Sequence, residues 1–118
     1  MTSHDEVDRL LEVITVDCYN DAEQVTAFYE VFAQEVPLPI TATVVGATIR
    51  VVGIDIAEHG EELTARCERG TVGQDLALED LVFPPDTPAA WIHAAYRRCL
   101  GLTAHPAAVP AGSKPPWL

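Results

Sequence analysis

Apolar positions along the chain follow two periods. Val7, Leu10, Leu11 and Ile14 fall on one helical face. Ser3, with Glu6 three residues on, forms a capping-box signature ahead of them. The β-branched run Val13–Val16 also suits a strand, but the helical face prevails, and the spacing predicts a helix ending near Tyr19–Asn20. A second helix is predicted from about Asp21 to Glu35. Val25, Phe28, Tyr29, Phe32 and Val36 form its apolar stripe, with Glu23, Thr26, Glu30 and Gln34 opposite. Pro37 and Pro39 stop it.

The period then changes to two. Ile40, Ala42 and Val44 alternate with Thr41 and Thr43, and Gly46 offers a turn. A second strand follows over Ala47–Ile56, with a bulge expected at Gly53. Ala57–Glu62 reads as a hairpin turn. Leu63, Ala65 and Cys67 then point one way while Thr64, Arg66 and Glu68 point the other. Asp75–Phe83 reads as a fourth short strand. A closing helix is signalled by Thr87 as its cap, Pro88 at its first position and Gly101 after its end. Trp91, Ile92, Ala95, Tyr96 and Cys99 supply its buried face, and Arg97 and Arg98 suit the negative end of its dipole.

These elements give an α+β fold: an N-terminal helical hairpin packed on a small antiparallel sheet or SH3-like barrel, with a closing C-terminal helix. One acidic domain is expected over residues 1–102. The Pro- and Ala-rich segment 103–118 lacks periodicity and is expected to form a mobile tail.

Charge narrows the function. Of 118 residues, 18 are acidic and seven basic, a net charge of −11. Such a chain repels a phosphate backbone, so nucleic acid is not an expected ligand; cations and basic protein surfaces are. With 48 % hydrophobic residues the chain can form a core. No apolar run spans a membrane, and the acidic N-terminus lacks the basic start and apolar centre of a signal peptide. A cytoplasmic protein is the resulting expectation. Cys18, Cys67 and Cys99 are widely separated, without a CxxC pair, and are expected to pack as small apolar residues rather than form a disulfide or zinc site.

No nucleophile elbow, Gly-rich phosphate loop, HExxH or dinucleotide fingerprint occurs. Glu79–Asp80 and His93 with Tyr96 are no more than incidental acid/base neighbours, so catalysis is not expected. Two acidic clusters remain. In the first, Asp17, Asn20, Asp21 and Glu23 fall within seven residues. Asn20 and Glu23 make a capping pair, and Asp21 and Glu23 also complement the helix dipole. The same oxygens suit a hard cation such as calcium, although the spacing is not that of an EF-hand. From Asp17, the glycine position holds Ala22 and the terminal glutamate position holds Phe28. The second cluster is Glu58, Glu61 and Glu62 around His59–Gly60. It reads as a solvated turn, or as carboxylates that repel one another until a cation joins them.

Several of these words resemble the cyanobacterial-type calcium-binding protein family (CcbP-like). They are Val16-Asp17-Cys18-Tyr19, Glu23-Gln24, Phe28-Tyr29 and Pro39-Ile40-Thr41-Ala42-Thr43, within residues 7–83. The resemblance implies a small acidic bacterial α+β protein that binds calcium without an EF-hand. Asp17, Asp21, Glu23, Glu58, Glu61 and Glu62 are the candidate ligands on position and charge. The family often carries an acidic pair where this chain has Ala33–Gln34, and an acid where it has Ala22. The family's longer connection after the first strand shrinks here to about Gly46–Ala47. Fewer carboxylates imply a lower affinity. Two readings follow: a calcium buffer or sensor, and an acidic module that holds a basic protein partner without any ion. In the second, Trp117 near the chain end would act as an anchor.

Overall fold

A computed structural model describes residues 4–107. Ser3 of the expected capping box and Trp117 both lie outside the described residues. The order is α1 (His4–Thr15), α2 (Asp21–Glu35), β1 (Ile40–Val44), β2 (Ala47–Ile56), β3 (Leu63–Arg69), β4 (Val72–Ala77), a 3₁₀ turn (Leu78–Asp80) and α3 (Pro88–Cys99). The fold is α+β. Three helices pack on one another, with α2 laid against β2 of a four-stranded antiparallel sheet in the order β1-β2-β3-β4. No helix among the described residues is long and apolar enough to cross a membrane.

Each helix buries most of the stripe its spacing predicts, with Leu11, Tyr29, Trp91 and Cys99 half-buried at the edge of the core. Val7, Leu10 and Ile14 of α1, Val25, Phe28 and Phe32 of α2, and Ile92, Ala95 and Tyr96 of α3 share one core. That core also takes Val51, Leu63 and Ala65 from the sheet. α1 is shorter than expected. Thr15 Oγ1 donates back to Leu11 O at 2.7 Å, and Cys18 N–H closes a turn on Thr15 O at 3.0 Å. Asn20 is then extended, with φ −152°, as the cap of α2. α3 ends as its sequence says. Gly101 takes φ +79°, which lets its N–H reach Arg98 O at 3.0 Å and Leu102 N–H reach Arg97 O at 2.9 Å.

In the sheet, a two-residue loop, Val45–Gly46, joins β1 to β2. Val45 is fully exposed with φ +47°, a conformation that costs a β-branched residue roughly 1–2 kcal/mol. The expected bulge is present: the pairing shifts between Val51 and Gly53. Val51 faces Cys67, and after the shift Ile54 faces Ala65 and Ile56 faces Leu63. One extra residue thus keeps the apolar side of β2 on the core side.

The fourth strand differs from expectation. It spans Val72–Ala77, an outer strand exposed along most of its length. The stretch expected to be extended instead turns at Leu78–Asp80 and crosses back to the far edge of the sheet. There Val82 and Thr43 exchange two backbone bonds of 2.8 Å each. The sheet stays open, but it curls toward itself. Of the segment expected as a tail, residues 103–107 are docked: Ala107 is buried, and His105 Nδ1 lies 3.0 Å from Leu81 O. Residues 108–118 lie outside the described residues.

Candidate metal centre

The front of α2 is built as a cap. Asn20 Oδ1 accepts from Glu23 N–H at 2.8 Å, and the Glu23 carboxylate accepts from Tyr19 N–H and Asn20 Nδ2, each at 3.3 Å. Both Glu23 oxygens are therefore engaged. Asp17 shares a shallow groove with Glu23 and Cys18 on the outside of the α1–α2 turn. Asp21 faces another way. It lies at the junction of α2 with the end of α3, and its charge, after burial, is the next cause that raises the Cys99 thiol.

The β2–β3 turn is closed by Ala57 N–H on Glu62 O and Gly60 N–H on Ala57 O, both 2.8 Å. Gly60 adopts φ +77°, the left-handed conformation that favours glycine. His59 Nδ1 accepts from Glu61 N–H at 3.2 Å, so the ring's other nitrogen carries the proton and faces Glu62 Oε1 at 3.6 Å. Glu58 is exposed at the tip.

These two turns meet at one end of the molecule. A cleft of about 410 Å³ is lined by Asp21 and Gln24 of α2, Glu61 and Glu62 of the turn, and Glu79 of the 3₁₀ turn. Phe28 and Tyr96 form part of its wall, and among the described residues no basic side chain lines it. Of the six candidate ligands, the fold thus brings Asp21, Glu61 and Glu62 to one cavity. Asp17 and Glu23 line a different one, and Glu58 lines neither. Among the described residues, no three His, Cys, Asp or Glu side chains are drawn tightly enough together to hold a metal ion as they stand.

Glu79, which the sequence offers only as an incidental acid/base neighbour of Asp80, also lines this cleft. One of its carboxylate oxygens, Oε1, is buried without a hydrogen-bond partner. Burial raises the Glu79 carboxyl above its usual range. Its own backbone N–H lowers it, the charges of Glu62 and Asp80 add to the rise, and Arg97 opposes them. Tyr96 reports the same field. Its hydroxyl oxygen accepts from Leu63 N–H at 2.8 Å. Burial first, and then Glu79 and Glu62, push it up to about 12 against that bond. Gln24 adds a neutral oxygen, which accepts from Cys99 Sγ at 3.4 Å. The only sequence signal for Glu79 is the Leu78–Leu81 spacing. It places two core residues one turn apart and forces the intervening acids toward opposite surroundings.

The charged donors of this cleft are carboxylate oxygens, one of them unpartnered, and the Cys99 thiol at its edge is held protonated by burial and by Asp21. A hard cation is the ligand such a set fits. No family profile matches the chain, and no curated protein matches it. Among solved structures, the crystal structure of Anabaena CcbP superposes with a TM-score of 0.68, covering 87 % of this chain and 97 % of that one at 14 % identity. The chain has the CcbP-like fold. At that identity the likeness is one of architecture. In this version of the CcbP-like fold, the helical hairpin, the β2–β3 turn and the crossing back from β4 all converge on the acidic cleft.

Proposed function

We propose that the protein is a non-EF-hand calcium-binding protein, a buffer or sensor, with its ion held in the α2/β2–β3 cleft by Asp21, Glu61, Glu62 and Glu79. The Gln24 carbonyl is a further ligand. The observation that carries this reading is the convergence of carboxylates from three separate segments on one cavity that no basic side chain among the described residues lines, within a CcbP-like fold. Calcium takes six to eight oxygens from a flexible set. The side chains would have to close inward on the ion, whose charge would offset the burial, and the lesser repulsion from Glu62 and Asp80, that raise the Glu79 carboxyl. Glu23 is assigned to the α2 cap rather than to the ion, and Asp17 and Glu58 to the solvated surface.

A site assembled by movement of exposed side chains binds modestly, at roughly 10⁻⁵ to 10⁻³ M, the weak end of the known range. No catalytic role is assigned. The free cysteines suit a reducing cytoplasm. The test is a calcium titration of chelator-stripped protein followed by amide shifts, with magnesium at equal ionic strength beside it. Saturable shifts at Asp21, Gln24, Glu61, Glu62 and Glu79 are expected with calcium alone. Exchanging Glu62 and Glu79 for Gln together should weaken binding at least roughly tenfold, about 1.4 kcal/mol, while Glu23→Gln should not. Uniform shifts that fail to saturate by several millimolar would sink the ion. The protein would then be read as an acidic module for a basic protein partner.

A further inference from the structure

On the other side of the 3₁₀ turn lies a second cluster that the acidic cleft does not use. His93, in the middle of α3, is buried among core residues, and its Nε2–H donates to Leu78 O at 2.8 Å. The ring meets Phe83 edge-on with centroids 5.2 Å apart. His105 lies over it, stacked at 5.4 Å and 29°, and its Nδ1–H donates to Leu81 O at 3.0 Å. Arg97 stands beside both rings. It donates from Nε to Thr103 O at 2.7 Å and from Nη1 to Glu79 O. Two neutral imidazoles and a guanidinium therefore hold residues 103–107 against the turn.

We propose that residues 103–107 form an acid-released strap, latched by the stacking of His105 on His93 and opened when the pair takes up a proton. Protonation leaves both hydrogen bonds intact, because each ring already donates to its carbonyl. What changes is charge. An imidazolium in this stack faces a second ring and the Arg97 guanidinium across a partly buried contact. Burial, the neighbouring ring and Arg97 hold His93 down at about 4, with the Leu78 carbonyl opposing them. Burial and then Arg97 lower His105, while the Leu81 carbonyl and Asp80 oppose them. Among the described residues Asp80 is the acid that favours charge on His105, and the direction of the shift shows that it does not prevail.

The two rings differ in what they can do about an added charge. His93 is fixed in the middle of a packed helix. His105 sits on a short segment held by Ala104, Ala107 and one Arg97 bond. The segment is what moves. The sign follows from the lowered values. The released strap binds protons more tightly than the docked one, so docking is complete above the ordinary imidazole range near ~6.5. It weakens as pH falls through that range. The docked-to-released ratio should drop by up to about tenfold per pH unit for each proton taken up.

The experiment is heteronuclear NMR on the full chain with chelator present, from pH 7.5 to 5.0. It follows the histidine rings, the Ala104 and Ala107 methyls and the backbone order of residues 104–107. The strap should lose order at least roughly tenfold in population over that range, while the β2–β3 amides stay fixed. His105→Phe, which keeps the stack without the proton, should remain docked at pH 5. His105→Gln, which keeps a donor for the Leu81 carbonyl, should do the same. A strap whose order does not change with pH overturns the proposal. So does a His105→Phe strap that releases at the wild-type midpoint, or release of both variants already at pH 7.5. The measurement is made without calcium, so its outcome is separate from that of the ion reading.

Discussion

In the α1–α2 turn both oxygens of Glu23 accept hydrogen bonds from Tyr19 and Asn20, and Asn20 in turn accepts from Glu23. In the β2–β3 turn, Glu62 has only a 3.6 Å approach from His59, and Glu61 contributes its backbone N–H rather than its carboxylate. Both stretches are dense in acids. One uses its carboxylate to start a helix, and the other leaves its carboxylates facing a cleft across from Glu79. Local density of acid therefore does not by itself tell whether carboxylates are used by the backbone or left facing a cleft. What distinguishes the turns is whether the backbone nearby has orphan N–H groups for a carboxylate to satisfy. A helix N-terminus has four of them. A hairpin turn that closes on its own carbonyls has few.

Single substitutions can break the comparison on either side. The largest effect is expected for Tyr96→Phe, which removes the acceptor for the buried Leu63 N–H at the base of the β2–β3 turn. An unsatisfied buried donor costs about 1–3 kcal/mol. Urea unfolding should report that loss, and amides of residues 57–63 should exchange faster while those of the α2 cap do not change. Equal acceleration in both turns would mean that the two are not independently held. Next is Asn20→Ala, which removes the α2 cap at a cost of about 1 kcal/mol. Its calcium affinity should stay within the error of the wild-type value. A fall in affinity comparable to that from Glu62→Gln would show that the cap also serves the cleft.

The sequence made the helices legible because their signals are local. α2 occupies Asp21–Glu35 as its stripe requires, and Thr87, Pro88 and Gly101 bound α3 in the expected roles. The bulge at Gly53 was also readable, from a glycine inside a strand pattern, and the pairing shifts there. β4 was not. Val72–Ala77 carries no apolar alternation, and its identity as a strand comes from pairing with β3. The apolar residues just after it, Leu78, Leu81 and Phe83, belong instead to a turn and a crossing back to β1. That error hid Glu79, because a residue placed on a strand points to one face of a sheet, not into a cleft beneath two helices. The docked segment 103–107 was missed for a similar reason. Its holding contacts, to Leu81 and Arg97, are tertiary and leave no period in the sequence.

The smallest effect is the most informative about the cleft. Glu79→Gln keeps the shape and removes the charge whose buried oxygen has no partner. Burial, reinforced by Glu62 and Asp80, raises this carboxyl, so the folded protein holds the proton more tightly than the unfolded chain does. Its contribution to stability is then greatest at low pH, below the ordinary carboxylate value of 4.5, and is lost as pH rises through the raised folded value. At neutral pH the ion-free wild type carries the cost of burying that charge, with the repulsion from Glu62 and Asp80 added, and the Gln variant does not. The variant should therefore be the more stable of the two, by less than about 1 kcal/mol because the group is partly solvated and screened. The advantage should vanish as pH falls below about 4.5, where both side chains are neutral. Saturating calcium should reverse the order, since ligand binding to the folded state stabilises by RT ln(1 + [L]/Kd) and the variant has the weaker Kd. A crossing of the two thermal midpoints on adding calcium, absent with magnesium, ties the strain in the cleft to its ligand. Parallel midpoints in all conditions would leave Glu79 as an ordinary half-buried acid, and the cleft would lose the feature that sets it apart from the cap of α2.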